Sequence, residues 1–159
     1  MSNSPQHDWL SALKIYLGAS VVLHLVWEMV QLPLYTIWRA GTANEIAFAV
    51  VHCTAGDLMI ATLSLVAALL IFGNRAWPSE RFLPVAACAL VAGIGYTAYS
   101  EWLNTVVRKS WSYTELMPTL PGTGLGLSPL AQWLIVPGLA MLAARSNIGG
   151  IHRQKSSDT

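Results

Sequence analysis

Between Leu10 and Leu32 the chain is apolar for long enough to cross a bilayer as one helix, and the run contains His24 and Glu28. Residues four apart on a helix lie on one face, so this pair stands one above the other. An ionisable pair in hydrocarbon is costly and is turned toward a protein interior or a water-filled cavity. The question set by this stretch is which other residues can meet the pair.

Three further apolar stretches follow, and the reading is an all-α, integral membrane bundle of four transmembrane helices in a single membrane domain, 1–159. The helices are expected at about 9–32, 45–72, 82–107 and 129–144. Pro33 stops the first, because it lacks a backbone donor and its ring disfavours continuation. Leu34 to Asn44 is read as a connecting loop, and Gly73 to Arg81, with Pro78, as a short polar turn. The long loop, 109–128, carries Pro118, Pro121, Gly122, Gly124 and Gly126. Pro137-Gly138 is expected to bend the last helix. Met1 to Asp8 reads as a short polar lead, and the polar residues from Arg145 onward as a tail.

Composition agrees: 54% of residues are hydrophobic and 11% charged, against roughly 25% charged in soluble domains. A net charge of +1 points away from nucleic acid as a partner. Cys53 and Cys88 lie inside apolar runs and read as small buried hydrophobes, not as a disulfide or a zinc pair. Lys14 before an apolar stretch has some likeness to a cleaved leader. The run is too long, contains His24 and Glu28, and has no small-residue cleavage pattern at Gln31 to Tyr35, so it is expected to be retained as the first helix.

Four spans put both termini on the same side. Lys14, Arg75, Arg81, Arg145, Arg153 and Lys155 would lie there, and only Arg39, Arg108 and Lys109 opposite, which places the termini in the cytoplasm. In that topology His24 and Glu28 occupy the far half of the first helix. His52 and Asp57 fall in the near-entry half of the second, Glu101 and Asn104 near the far end of the third, and Gln132 and Trp133 near the far start of the fourth. The awkward polar residues of all four helices thus share one leaflet, beneath the long loop.

Helical spacing sorts them further. Thr54, Asp57 and Ser64 share one face, as do Thr97, Glu101 and Asn104. His52 sits about 140° around the helix from Asp57, so it ranks behind Asp57 as a site residue unless Gly56 marks a distortion. Carboxylates and a histidine at one depth suit proton delivery and removal, one group donating and another accepting. As a structural pair, polar groups across membrane helices contribute only about 0.6 kcal/mol, so packing is the competing explanation. His and carboxylate side chains also ligate metals, but neither HExxH nor HxxxH occurs, and no metal or other cofactor is expected. Trp9, Trp38, Trp77 and Trp111 fall near helix ends and read as an interfacial belt. Trp27, Trp102 and Trp133 lie within helices beside Glu28, Glu101 and Gln132, where they pack or form a cation-stabilising wall. The glycines of the long loop lack the strand, helix and Lys-Ser/Thr context of a phosphate loop.

The same residues carry a resemblance. His24-Leu25-Val26-Trp27-Glu28 is similar to the His-Leu-x-x-Glu segment of the EXPERA family, which includes the emopamil-binding sterol isomerases and sigma-2-receptor-like membrane proteins. Asp57 with Leu58-Met59-Ile60-Ala61 resembles the family's next acidic position, where Glu is typical. Tyr99-Ser100-Glu101 resembles its Tyr…Thr-Glu segment, and Trp133-Leu134-Ile135-Val136-Pro137-Gly138 its Trp-Leu-x-x-Pro-Gly run. Leu130 stands where the isomerases have Asn. The resemblance implies a proton shuttled at a sterol double bond through a carbocation, with His24 and Glu28 as the proton-handling pair, Asp57 as a second acid or base, and Trp133 as the cation wall.

The expectation is therefore a membrane-embedded, isomerase-like enzyme or binder of an isoprenoid- or sterol-like apolar molecule. Its catalytic set is His24, Glu28, Asp57 and Glu101; Trp27, Thr54, Thr97, Asn104, Gln132 and Trp133 contact the substrate. The alternatives are a small ion- or proton-coupled transporter, which usually shows broken helices and repeated halves, though no repeat is found here, and a structural subunit of a membrane complex. A homodimer seam would also gather polar residues at one depth.

Overall fold

The computed structural model describes residues 5–157, with side-chain surroundings for residues 9–147. The chain forms α1 (Pro5–Gln31), α2 (Ile37–Ala40), α3 (Ala43–Phe72), α4 (Phe82–Trp102) and α5 (Leu127–Ser157). A 3-10 turn, Leu32–Leu34, follows α1, and a π-turn, Leu103–Val107, extends α4. Among the described residues there are no strands, only two isolated bridges, Tyr35 with Tyr113 and Thr119 with Gly126. Four segments are long and apolar enough to cross a membrane: Trp9–Leu34, Ala43–Phe72, Phe82–Val107 and Leu127–Asn147. The fold is all-helical, as the apolar run lengths require.

Several boundaries differ from the sequence reading, each for a local reason. α1 begins at Pro5, inside the expected polar lead, because proline is tolerated in a first turn whose N–H groups have no helical partner; residues 1–4 of that lead lie outside the described residues. The expected loop after Pro33 contains the short helix α2. α3 begins at Ala43 because Thr42 and Glu45 close a capping box: the Thr42 hydroxyl accepts from the Glu45 N–H at 3.4 Å, and the Glu45 carboxylate accepts from the Thr42 N–H at 2.7 Å. Thr42→Ala is expected to lower stability by about 1 kcal/mol, read as a fall in melting temperature in detergent. An unchanged melt would remove the cap from the account. The expected polar tail is instead a continuation of α5 to Ser157. Polarity marks where a helix leaves an apolar medium but does not end it, and after Pro137 no residue lacks a backbone donor. The side chains of Arg153 and Lys155, used in the topology reading, lie outside the described residues.

α1 packs against α3 and α5, and α4 packs against the same two, so the four long helices close a ring. Neighbours run in opposite directions. The Tyr16 hydroxyl of α1 donates to the Ala61 carbonyl of α3 at 3.3 Å, and the Arg145 guanidinium of α5 lies 4.7 Å from the centre of the Phe82 ring at the start of α4. One end of the bundle thus gathers the first halves of α1 and α4 with the second halves of α3 and α5.

That end is mainly apolar, with the Tyr16 and Ser64 hydroxyls each bonded to the Ala61 carbonyl. Ala12, Ala61, Ala68, Ala140 and Ala144 are fully buried, and such small residues let membrane helices approach closely without a hydrophobic driving force. Leu65, Val85, Met141 and Trp77 fill the space between them. Trp77 corrects the expected interfacial belt: at 1% exposure it belongs to the core, because the Gly73–Arg81 turn folds its ring back over the helix ends. Outside, Val30, Leu70, Leu83 and Leu142 are largely exposed, as suits a surface whose solvent is hydrocarbon. Most of the buried polar residues collect toward the opposite end, and the site is there.

Candidate functional site

Helical periodicity builds three polar stripes facing the bundle axis. On α1, Ser20, His24, Glu28 and Gln31 are buried at intervals of one turn. On α3, Thr54 is buried and Asp57 half-buried one turn further on. On α4, Gly93, Thr97 and Glu101 repeat every fourth residue and are buried. α5 begins at the same end, so Gln132 and Trp133 enter between these stripes, both nearly inaccessible.

Gln132 is the hub. Its Nε2 lies 3.0 Å from His24 Nδ1, and donates to Glu28 Oε1 at 3.1 Å and to Asp57 Oδ2 at 2.9 Å, reaching Asp57 across the ring of helices. Gln31 Nε2 donates to Glu28 Oε1 at 2.7 Å, and its carbonyl accepts from the Ser128 hydroxyl at 2.8 Å. Trp27 Nε1 donates to the same hydroxyl at 3.3 Å. His24 Nδ1 is 3.5 Å from Asp57 Oδ2. An amide nitrogen carries two hydrogens, yet three acceptors surround this one. The third is satisfied only when two of the group share a proton, and with His24 Nδ1 accepting from the amide these are the Glu28 and Asp57 carboxylates, whose oxygens both lie against that nitrogen. Reversing the amide does not change this, since its oxygen would then need protons from the same three groups.

A second polar knot joins the long loop to α4. The Tyr113 hydroxyl donates to the Glu101 carboxylate and accepts from the Gly126 N–H at 3.2 Å. A Cβ at Gly126 would lie 3.0 Å from Tyr113 Cζ and would push the ring back by a few tenths of an ångström. The Tyr35 ring meets Tyr113 edge-on with centroids 5.5 Å apart. Burial pushes the Tyr113 phenol above the ordinary tyrosine range, and its bond to Glu101 and that carboxylate's charge add to the shift. Burial raises Tyr35 likewise, with Glu101, Tyr113 and Glu28 acting in the same direction. Both phenols therefore stay protonated at neutral pH, and Tyr113 stays a donor. The Thr114 hydroxyl donates to the Pro33 carbonyl at 3.0 Å, and its N–H to the Leu34 carbonyl at 2.9 Å, which holds the loop over this end.

The structure brings His24, Glu28, Asp57 and Gln132 into one hydrogen-bonded group and leaves others apart. Trp133 packs against His24, with ring centroids 5.6 Å apart, and against the backbone of Gly93. Trp27 is half-buried and bonded to Ser128. Thr54 and Thr97 are buried, and their hydroxyls have no hydrogen-bond partner. Asn104 turns back onto its own helix, donating to the Ser100 carbonyl at 2.9 Å, so it makes no bond to the group around Gln132. His52 is exposed and stacks on Phe48, away from Asp57. Gln31, Ser128, Tyr35 and Tyr113 were not foreseen. Spacing alone pointed to Gln31, three residues after Glu28, and to Ser128, four before Gln132. Nothing local ties Tyr113 to Glu101. Among the described residues, no group of three His, Cys, Asp or Glu side chains is arranged to hold a metal ion.

Set against protein-family models, curated proteins and solved structures, the chain matches none.

Proposed function

We propose that this chain is a multi-pass integral membrane protein with both termini in the cytoplasm, and that its interior site moves protons on an isoprenoid- or sterol-like apolar molecule, as an isomerase or a binder related to one. The observation that carries the reading is the convergence of His24 Nδ1, Glu28 and Asp57 on the Gln132 amide. Two carboxylates that share one proton inside the bundle are a proton store. Glu101, tied to Tyr113, is a separate carboxylate at the same end of the bundle.

Migration of a double bond needs both roles. An acid gives its proton to one alkene carbon, forming a C–H bond and leaving a carbocation on the neighbour. A base then removes a proton from the carbon flanking the cation, and that C–H pair becomes the new double bond. One proton enters and one leaves, so no oxidant is needed. In this reading the carboxylate pair Glu28–Asp57 beside His24 supplies the proton that enters, Glu101 receives the one that leaves, and the Trp133 ring beside His24 favours the cation. The resemblance of these segments to the EXPERA family supports the substrate class.

The bundle's apolar end weighs against transport. A conduit needs polar groups along its length, whereas Ala12, Leu65, Ala68, Val85 and Ala144 close this one. The inward burial of His24, Glu28 and Gln132 weighs against a subunit that offers polar groups to a partner helix.

The test is mass spectrometry of lipids extracted from the purified protein, wild type against Asp57→Asn. An isoprenoid- or sterol-like species enriched on the wild type and lost or altered in the variant is expected. Bulk phospholipid alone on both would overturn the reading.

A further inference from the structure

Among the described residues six buried side-chain polar atoms have no hydrogen-bond partner: Ser20 Oγ, Trp77 Nε1 and Trp111 Nε1 besides His24 Nε2, Thr54 Oγ1 and Thr97 Oγ1. The last three belong to residues that are 0%, 9% and 7% exposed. Protein interiors leave few such atoms, and each calls for a cause. These three come one each from α1, α3 and α4, on buried faces at the end of the bundle that holds Gln132. Thr54 is one turn from Asp57, whose carboxylate is 3.5 Å from His24 Nδ1. Thr97 is one turn from Gly93, which touches the Trp133 ring that packs on His24. With the Gln132 amide donating to Nδ1, the imidazole hydrogen sits on Nε2, as a donor with nothing to donate to.

We infer that His24 Nε2, Thr54 Oγ1 and Thr97 Oγ1 form a subsite that seats a neutral oxygen of the ligand, a hydroxyl or a carbonyl. The inference rests on the proposed reading of this interior as a ligand site. One N–H donor and two hydroxyls, which donate or accept, match an oxygen that accepts from His24 and pairs with a threonine. The carboxylates of Glu28 and Asp57 nearby repel an anion. A cation would go to those carboxylates and leave the Nε2 hydrogen unmet. The subsite thus selects an oxygen-bearing lipid over the bare hydrocarbon. It also makes the His24 ring a two-sided element, with the Gln132 amide on Nδ1 and the ligand oxygen on Nε2.

Farnesol, farnesal and farnesene, one isoprenoid chain with a hydroxyl, a carbonyl and neither, are the probes. Binding to the full chain in detergent is read from quenching of tryptophan emission. The wild type is expected to bind farnesol or farnesal at least tenfold more tightly than farnesene, and that ratio is expected to fall toward one in Thr97→Val and in Thr54→Val. Valine keeps the shape of threonine and removes an atom without a partner, so both empty variants should melt at or above the wild-type temperature. Equal binding of all three probes to the wild type would overturn the oxygen seat and leave the ligand reading intact. So would variants that melt lower than wild type and keep the full preference, because bound water would then be the partner of these hydroxyls. Binding of none of the three would overturn the ligand reading together with the subsite.

Discussion

Gln132→Leu is expected to lower the melting temperature of the purified protein by about 10 °C. Leucine matches glutamine in bulk but has no N–H to give. His24 Nδ1, Glu28 Oε1 and Asp57 Oδ2, now within 3.1 Å of Gln132 Nε2, would face one another across an apolar side chain. Hydrogen bonds to charged groups contribute about 1.5–3 kcal/mol each, so losing the two amide hydrogens costs roughly 3–6 kcal/mol, at about 2–4 °C per kcal/mol for a chain of this size. Part of the loss is recovered as neighbouring groups rearrange. Adding Asp57→Asn to Gln132→Leu is expected to restore several degrees, because asparagine replaces a charged acceptor with a donor. A melt unchanged by Gln132→Leu, or a double variant less stable than the single, would refute the hub.

Gly93→Ala is the second large effect, and its mechanism is steric. A Cβ at position 93 would lie 2.2 Å from Trp133 Cε3 and 2.4 Å from Cζ3, well inside contact distance. The Trp133 ring is 1% exposed and sits between Gly93 and the His24 ring, so it cannot yield without moving its neighbours. Overpacking of this kind costs about 1–3 kcal/mol. The near-ultraviolet circular dichroism of the tryptophans is expected to change and ligand binding to weaken as Trp133 leaves His24. Gly95→Ala is the matched control, since nothing lies within 4 Å of its Cβ position, and it should melt no lower than wild type. If the two alanine variants behave alike, Trp133 is not seated on Gly93.

These two residues show where local pattern stops informing. Gln132 reads in sequence as one of several polar residues at a common depth, and its place among three acceptors depends on α5 entering between α1 and α4, opposite α3. His24 and Gln132 are 108 positions apart, and no spacing rule connects them. Gly93 reads as one small residue among many in an apolar helix, and only the seat of Trp133 on its backbone distinguishes it. Trp77 was misread for the same reason: its place near helix ends suggests the membrane interface, while the path of one turn carries it inside. Tyr113 lies in a loop without periodicity, and its bond to Glu101 follows from the Thr114 contacts that fold the loop over the bundle.

What the sequence by itself determined is what a helix determines locally. Apolar runs of spanning length set the all-α class and the four membrane-length helices, and one-turn spacing put His24 with Glu28 and parted His52 from Asp57. The tertiary structure decided the rest: which stripe faces which, which amide sits among three acceptors, and which hydroxyls are left over. The physical reason is that backbone hydrogen bonds close within a few residues and can be read from spacing. Side-chain bonds between helices form only after packing has chosen the neighbours, and in this chain the packing seams are small residues whose identity says little about which partner they meet.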